Sequence, residues 1–303
     1  MRTPKQANGN APTYEGRPYA NPDEPLVDQG LQFDIGTLLS RRGILLGGAG
    51  LAAGGLAAYG ALGTAGAADL DAQALAEIPE ETAGPYPGDG TNGPDVLEQS
   101  GVVRSDIRSS FGTGSATAPG VLMRLELEII DMANGNAPFT GAAVYVWHCD
   151  RAGGYSMYSS GLTNQNYLRG VQIADDDGYV RFTSIFPGCY TGRWPHVHFE
   201  VYPDEASIVN AANKIATSQV ALPEDVCDTV YAQSGYEASA TALSRVSLES
   251  DMVFSDDGAV SQLATISGSV TSGITAHLAV GVDTTTAAGG GGGTGGPGGP
   301  GGR

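Results

Sequence analysis

Residues 187–201 read PGCYTGRWPHVHFEV, and this stretch decides how the rest of the sequence is interpreted. It opens with a Pro-Gly pair, which is typical of a turn, and continues into a run with strand character. Residues i and i+2 of a strand point to the same face, so we expect His196 and His198 to lie side by side. Two adjacent imidazoles form a natural metal chelate. On the motif alone, a chance pair with one exposed and one hydrogen-bonded histidine is the alternative.

Further strand-like segments flank this stretch on both sides. Residues 123–129 alternate apolar and charged side chains, which is the pattern of a half-buried strand. Residues 142–148 are rich in β-branched and aromatic side chains. Other strands are predicted at 179–186, 251–254 and 274–282. Short strands separated by turn signals predict an all-β protein, an antiparallel β-sandwich with short helices and long loops.

The sequence after the His-x-His strand changes character twice. Residues 206–217 predict a short helix, and a second helix is expected to begin at Pro223, a residue favoured in a first helical turn. From residue 284 to 303 the chain is dominated by Gly and Pro, a composition that predicts a disordered tail. The sandwich domain is therefore predicted to occupy residues 68–283.

The amino-terminal region predicts an export signal. The pair Arg41-Arg42 precedes an uncharged, glycine-rich stretch at 43–63, as in a twin-arginine signal. Ala65 and Ala67 form an A-x-A cleavage pattern, so residues 1–67 are interpreted as a leader. We expect an exported protein in the periplasm, outside the cell or on its surface, associated with a membrane only through this signal. An uncleaved membrane anchor is the alternative.

Charge and cysteine spacing exclude several classes of protein. The 303 residues carry a formal net charge of −18, which disfavours nucleic acid as a partner. The three cysteines, Cys149, Cys189 and Cys227, match neither a zinc knuckle nor a C-x-x-C redox motif.

Two tyrosines near the histidines supply candidate oxygen ligands. Tyr190 follows the Pro-Gly turn, and Tyr155 follows the glycine-rich turn after residue 150, with Tyr158 as the alternative ligand there. Two phenolates and two imidazoles suit Fe(III), a charged Lewis acid that lowers the pKa of a phenol far below about 10. Zinc more commonly uses Cys, His or carboxylate ligands.

Residues 141–201 resemble the core of the intradiol ring-cleavage dioxygenases. The matching text runs A-x-V-x-V-W-H-C-D-x-x-G-x-Y-S, then L-R-G-V-Q-x-x-D-x-x-G-x-V-x-F-x-S-I-x-P-G-x-Y, then G-R-x-P-H-x-H-F. Upstream, residues 81–86 and 103–106 match as well, so the resemblance covers roughly residues 80–283. It implies a β-sandwich enzyme that cleaves catecholic aromatics with O2 to muconate-type diacids.

The resemblance also implies a role for each site residue. Non-haem Fe(III) is the implied cofactor, held by Tyr155, Tyr190, His196 and His198. Tyr190 is the ligand that the catechol displaces, and it then acts as a base. Arg193 falls where the family places a cation over the reacting ring, where it stabilises developing negative charge.

Some expectations depart from the cytoplasmic relatives or go beyond the ligand set. Gln172 is a weaker candidate for a residue that contacts the metal ligands without binding the metal itself. In an oxidising compartment, Cys189 and Cys227 are expected to form a disulfide, although sequence does not fix connectivity. The oligomeric state is open, a homodimer being one alternative.

Other functions and structural roles remain alternatives. One rival is a non-catalytic β-sandwich binding or carrier module, and another is a zinc hydrolase with Glu200 as the nearby carboxylate. Four residues are interpreted as structural or packing residues: Tyr145, Trp147, His148 and His277. Arg169 is interpreted as a candidate salt-bridge residue.

Overall fold

The computed structural model describes residues 75–286 and two short paired strands near the amino terminus. The remainder of the predicted leader, residues 1–67, and the tail beyond residue 286 lie outside the described residues. The strands are β1 Thr13–Tyr14, β2 Arg17–Pro18, β3 Leu122–Asp131, β4 Ala137–Pro138, β5 Ala143–Trp147, β6 Arg169–Ile173, β7 Tyr179–Ile185, β8 His196–Tyr202, β9 Ala216–Ala221, β10 Thr265–Ser269 and β11 Gly273–Val282. The α-helices are α1 Glu224–Tyr231 and α2 Glu237–Leu243, and 3₁₀ turns span Glu205–Val209, Ala211–Asn213 and Phe254–Asp256.

Two sheets form the predicted sandwich. The first has the order β10-β11-β3, with β7 and β4 pairing along the other edge of β3. The second has the order β6-β5-β8-β9, and all of its pairs are antiparallel. The pair β3 and β11 is parallel, so the first sheet is mixed rather than purely antiparallel.

The core between the sheets follows from period-2 patterning. In β3, the apolar residues Met123, Leu125, Leu127 and Ile129 point inward, whereas the charged residues between them are partly or fully exposed. In β8 every residue is buried, because both faces are covered. Its Val197, Phe199 and Val201 enter the core, and the residues between them lie on the outer face.

A second apolar cluster covers that outer face. It contains Tyr145 and Trp147 of β5, together with Tyr155 and Tyr202 from elsewhere in the chain. Loop residues 83–102 pack onto it and shield the polar side chains of β8 from water. The predicted metal ligands are therefore on the outer face of the second sheet, beneath loops, and not between the two sheets.

The structure corrects two of the predicted elements. Residues 251–254 do not form a strand, because the Asp251 carboxylate accepts hydrogen bonds from the backbone N–H groups of Val253 and Phe254 and bends the chain into a turn. Residues 206–217 form two 3₁₀ turns, and the chain then enters β9. The helix predicted after Pro223 is confirmed as α1. No helix among residues 75–286 is both long and apolar enough to span a membrane.

Candidate metal centre

β8 places the two histidines on the outer face of the second sheet. His198 is in register with Trp147 of β5, and the two rings stack with centroids 4.8 Å apart. His196 lies two residues earlier, and the Nε2 atoms of His196 and His198 are 3.1 Å apart. Because residues i and i+2 of a strand share a face, the His-x-His spacing brings two imidazole nitrogens to one point.

A tight loop after β5 delivers Tyr155. The Asp150 carboxylate accepts hydrogen bonds from the N–H groups of Ala152 and Gly154, which folds the chain back on itself. Gly153 has a φ of 90°, and a Cβ there would lie 3.1 Å from the Tyr190 Cβ. Glycine is therefore required both by the backbone conformation and by the approach of the second tyrosine.

Close backbone packing likewise positions Tyr190. A Cβ on Gly188 would lie 2.5 Å from the Asp150 carbonyl oxygen, so only glycine permits this approach. The Gly188 N–H donates to that same carbonyl at 3.1 Å, and the Cys189 N–H donates to the Ser239 hydroxyl at 2.9 Å. The Pro-Gly turn thus anchors Tyr190 against the loop that carries Tyr155.

The four predicted ligand atoms converge. The Tyr155 hydroxyl lies 3.3 Å from the Tyr190 hydroxyl and 3.4 Å from His196 Nε2. The Tyr190 hydroxyl lies 3.3 Å from the same nitrogen, which in turn adjoins His198 Nε2. Tyr155 is almost completely buried, whereas Tyr190 is half-buried and forms the more accessible side of the cluster.

The geometry favours Tyr155 over Tyr158 as the candidate ligand. The Tyr158 hydroxyl accepts a hydrogen bond from the Gly88 N–H at 2.8 Å and donates to Asn92 Oδ1 at 2.7 Å. It is thus committed to the loop at 88–92, whereas Tyr155 is the residue that reaches His196.

The imidazoles have lone pairs available for a metal ion. His196 Nδ1 lies 2.5 Å from the Trp194 carbonyl oxygen, which can only accept, so Nδ1 carries the proton and Nε2 is bare. Burial lowers the pKa of His196 to about 3 and also lowers the pKa of His198 well below its usual value. Both rings are therefore neutral at pH 7, as metal ligation requires.

The phenols need a cation before they ionise. Burial raises the pKa of both Tyr155 and Tyr190, because a phenolate is poorly solvated there. A bound cation would reverse this effect. Among residues 75–286 no group of three or more His, Cys, Asp or Glu could hold a metal ion. The donor set is instead two phenols and two neutral imidazoles, which fits a hard ferric ion better than zinc.

Arg193 brings a fixed positive charge to the cluster. Its Nε donates to Asp251 Oδ2 at 2.9 Å and its Nη2 donates to Gln219 Oε1 at 2.5 Å. Arg193 is 7 % exposed, and its charge opposes the rise in the pKa of Tyr190 that burial causes. The guanidinium is therefore held rigidly, within electrostatic range of the more accessible phenol.

Sequence reasoning missed the two residues that hold Arg193. Gln219 is fully buried on β9, directly in register with His198, and its Nε2 donates to the Thr82 carbonyl oxygen. Asp251 is also fully buried and additionally accepts the Trp194 N–H. The sequence of β9 shows no alternation of apolar and polar residues, because both faces of this strand are buried. The sequence around Asp251, Ser247-Leu248-Glu249-Ser250-Asp251, contains no motif that identifies its role.

Gln172 does not contact the ligands, which corrects that prediction. It is in register with Val144 of β5, a core residue, whereas Tyr145 and Trp147 share the outer face with His198. Because a strand alternates its faces, Gln172 is directed toward the opposite side of the sheet from the metal centre. Its amide makes only a 3.5 Å contact with the adjacent Val171 carbonyl oxygen.

The predicted disulfide is also wrong. Cys149, Cys189 and Cys227 are all free, buried thiols. Cys189 and Cys227 do share one apolar cluster, but each thiol faces a backbone carbonyl oxygen, that of Arg193 and that of Leu222 respectively. Burial raises the pKa of Cys189 to about 12, so this thiol is unreactive toward oxidants that attack thiolates.

The residues interpreted as structural fit that role, with one exception. His148 is buried and bridges the Cys149 carbonyl oxygen and the Ser184 hydroxyl. His277 lies on β11 near Glu128. Tyr145 and Trp147 pack on the outer face of the second sheet, where Trp147 also braces His198. Arg169 differs, because its hydrogen-bond partners include no carboxylate.

Similarity to known proteins agrees with this geometry. A family model described as dioxygenase matches residues 92–202. A catechol 1,2-dioxygenase of Pseudomonas sp. (strain EST1001) is 41% identical over 71 residues, which are 23% of this chain and 22% of that protein. A chlorocatechol 1,2-dioxygenase of Rhodococcus opacus is 39% identical over 75 residues, which are 25% of this chain and 28% of that protein. The matched segments thus span about a quarter of these relatives.

A solved structure shows the same fold over a longer range. An intradiol ring-cleavage dioxygenase from Tetranychus urticae superposes with a TM-score of 0.54 at 23% identity, covering 70% of this chain and 96% of that one. Fold and site together define a β-sandwich protein with a mixed phenol and imidazole cluster on the outer face of one sheet. The chain therefore has the fold of an intradiol ring-cleavage dioxygenase, and its residues 92–202 match the dioxygenase family model.

Proposed function

We propose that the protein is an Fe(III)-dependent intradiol dioxygenase that cleaves catecholic aromatics with O2 to muconate-type diacids. The observation that carries this proposal is the convergence of two phenol oxygens and two imidazole nitrogens: His196 Nε2 lies 3.3–3.4 Å from both phenol oxygens and 3.1 Å from His198 Nε2. The named relatives, a catechol and a chlorocatechol 1,2-dioxygenase, support the substrate class.

The four converging residues would hold the iron. Tyr155, Tyr190, His196 and His198 offer a donor set whose two phenolates and two neutral imidazoles bring one negative charge fewer than a ferric ion has positive charges. A catecholate dianion that replaced one of the two phenolates would bring the total to three negative charges and balance the ferric ion. When bound, the ferric ion supplies Lewis acidity and redox chemistry that make a chelated catechol reactive toward O2.

Tyr190 is assigned the role of the base that accepts a proton from the catechol. It is the half-buried member of the pair, so an entering catechol reaches it before the deeply buried Tyr155. Burial raises the pKa of its phenol, so the Tyr190 phenolate, where no cation binds it, would be a strong base for a catechol hydroxyl proton. His196, held by the Trp194 carbonyl oxygen, keeps its orientation throughout.

Arg193 stabilises negative charge that builds up on the substrate. Its guanidinium is fixed by Asp251 and Gln219 and needs no rearrangement during the reaction, which is the requirement for electrostatic catalysis. The balanced reaction breaks the bond between the two hydroxylated carbons and places one atom of O2 on each resulting carboxyl carbon.

The zinc hydrolase alternative loses its general base. Glu200 lies on the histidine face, but its carboxylate is fully buried and accepts hydrogen bonds from Lys214 at 2.8 Å and from Tyr202 at 2.8 Å. A carboxylate held in this way is not free to activate water at the histidines. Export through the leader at residues 1–67 remains part of the proposal, supported by the twin arginine and the residues that follow it.

The test is a visible spectrum with metal analysis, before and after anaerobic addition of catechol. We expect about one iron per chain and a broad tyrosinate-to-iron band that shifts when catechol binds, followed by O2 uptake and a diacid product. Tyr155→Phe should weaken and displace the band, because Tyr190 is then the remaining phenolate ligand, whereas Tyr158→Phe is the matched control that leaves the band unchanged. A protein that stays colourless after Fe(III) loading would refute the proposal and leave the carrier module. An iron-loaded protein whose band shifts with catechol, but which consumes no O2, would likewise indicate a binding module.

A further inference from the structure

Arg169 is a buried cation on the same face of the second sheet as the metal centre. It is 1 % exposed and is in register with Trp147, which is itself in register with His198. The three side chains therefore form one row across β6, β5 and β8. The row ends on a predicted metal ligand.

All five N–H donors of the Arg169 guanidinium are engaged. Nε donates to the Ser156 hydroxyl at 3.1 Å, and Nη2 donates to the Ser156 carbonyl oxygen at 3.0 Å. Nη1 donates to the Pro87 carbonyl oxygen at 2.8 Å and to the Tyr145 hydroxyl at 3.0 Å. The other Nη2 donor reaches the Tyr86 carbonyl oxygen at 2.9 Å.

Every one of these acceptors is neutral. No carboxylate of residues 75–286 forms an ion pair with Arg169, in contrast to Arg193, which is paired with Asp251. A buried guanidinium without a counter-ion is costly. A contribution to stability therefore does not explain why an arginine is buried at position 169. Its planar guanidinium explains this better, because its five donors fix several backbone groups at once.

The fork joins the two segments that enclose Tyr155. Ser156 directly follows that ligand in the chain. Tyr86 lies in the segment at 84–88, and its ring is 4.7 Å from the Tyr155 ring. The same segment touches His198, because a Cβ on Gly84 would lie 3.5 Å from the His198 Cε1. One guanidinium thus binds both the backbone that follows Tyr155 and the backbone of Tyr86, whose ring packs against Tyr155.

We infer that Arg169 is a positioning residue for the metal centre, clamping Ser156 to Tyr86 and Pro87 so that the Tyr155 oxygen stays beside His196. This inference rests on the proposed iron site. It extends that site to a residue that touches none of the reacting groups. The clamp requires planar geometry as well as charge, so Lys is not an adequate replacement.

The test compares Arg169→Lys and Arg169→Met with Val280→Ala. Val280 is a fully buried core residue of β11 in the opposite sheet, so its truncation destabilises the protein without touching the clamp. Three quantities are measured: the melting temperature, Fe(III) affinity by competition with a chelator, and the position of the tyrosinate-to-iron band. Hydrogen exchange of the iron-free proteins reports separately on residues 84–90 and 155–162.

We expect both Arg169 variants to bind Fe(III) at least tenfold more weakly, with a displaced band and faster exchange in both segments. Val280→Ala should lower the melting temperature with unchanged band and affinity. If Arg169→Met does not fold, Tyr145→Phe and Ser156→Ala each remove one side-chain acceptor, and each should weaken iron binding several-fold.

Two failures are distinguishable. Arg169 variants that match Val280→Ala in band, affinity and exchange would overturn the positioning role while leaving the iron site intact. A wild-type protein that neither binds Fe(III) nor develops the band would instead overturn the proposed function. In that case exchange in the two segments still tests the clamp.

Discussion

The indole of Trp147 lies parallel to the imidazole of His198, with ring centroids 4.8 Å apart and planes inclined by only 1°. The two residues are cross-strand partners in β5 and β8. Trp147 is also stacked on Tyr145, so a layer of aromatic rings supports the imidazole on one face. The orientation of His198 depends on this packing, since its Nδ1 has no hydrogen-bond partner among the described residues.

Trp147→Leu should therefore weaken both the fold and the metal site. A large-to-small change at a fully buried position costs about 2–5 kcal/mol. We expect a matching decrease in the free energy of unfolding by urea, together with weaker Fe(III) binding. The control is Phe199→Leu, a buried core-face position on β8, the strand of His198, which should lower stability but not iron affinity. Equal iron affinities for the two variants would contradict the supporting role.

Asp251→Asn should be strongly destabilising because it removes the counter-ion of a buried guanidinium. Arg193 and Asp251 are 2.9 Å apart, with side chains 8% and 0% exposed. Breaking such a pair from one side costs about 3–5 kcal/mol, since the remaining charge stays buried. The prediction is a decrease of that size in the free energy of unfolding, and a lower kcat through misplacement of Arg193.

The exposed pair Arg108–Asp106 provides the control for that experiment. Its side chains are 40% and 50% exposed, although the two atoms are only 2.7 Å apart. Asp106→Asn should change the free energy of unfolding by less than about 1 kcal/mol, because solvent screens the charges. Comparable losses for Asp251→Asn and Asp106→Asn would show that burial of the first pair has no energetic consequence.

Site residues whose position follows from the local sequence could be predicted. Residues whose position depends on the register between strands could not. His196 and His198 follow from period-2 alternation alone, and Tyr155 and Tyr190 follow from the turns beside them together with the family resemblance. Gln172 failed because the face that a strand residue occupies depends on register with its neighbours. That register placed it beside Val144.

The residues that fix Arg193 come from segments without a usable pattern. Gln219 lies on a strand with all six residues buried, so no alternation marked it. Asp251 lies in a segment whose sequence predicts a strand. In the structure its carboxylate accepts backbone hydrogen bonds and bends the chain into a turn. The sandwich itself was predictable, because β3, β5, β7, β8 and β11 each carry an alternating or β-branched signature. The parallel pairing of β3 with β11 required the tertiary structure.

His148 should make stability depend on pH in the acid range. Burial lowers the pKa of His148 to about 4 from 6.5, and Arg169 acts in the same direction. The unfolded state therefore binds more protons, so the stabilisation is complete above about pH 6.5 and is lost as the pH falls toward 4. The total is roughly 3 kcal/mol.

Urea unfolding of the wild type and His148→Gln at several pH values checks this. The substitution removes the titrating group. The free energy of unfolding should therefore fall less steeply between pH 6 and 4, by up to about 1.4 kcal/mol per pH unit. Comparing the two slopes cancels the contributions of the other histidines. Identical slopes would contradict the prediction, whatever the difference in absolute stability.

Lys214 stabilises two buried carboxylates beside the histidine strand. Its Nζ lies 2.8 Å from Glu200 Oε1 and 3.7 Å from Asp89 Oδ2, and both acidic side chains are 0% exposed. Lys214→Met leaves both acids buried without a cation, which should cost about 3–5 kcal/mol. Arg181→Met is the control, since it breaks an ion pair with Asp175 whose side chains are 51% and 43% exposed, and should cost less than about 1 kcal/mol.

A second substitution separates the charge from the packing of the Lys214 side chain. Lys214→Met combined with Glu200→Gln removes one of the two stranded acids, so part of the lost stability should return. If the double variant is no more stable than Lys214→Met, the loss comes from the aliphatic packing of Lys214 and not from its charge. Because Asp89 follows the segment at 84–88 that lies over His198, recovery of stability should be accompanied by slower hydrogen exchange in that segment. A packing defect alone would not produce this coupling.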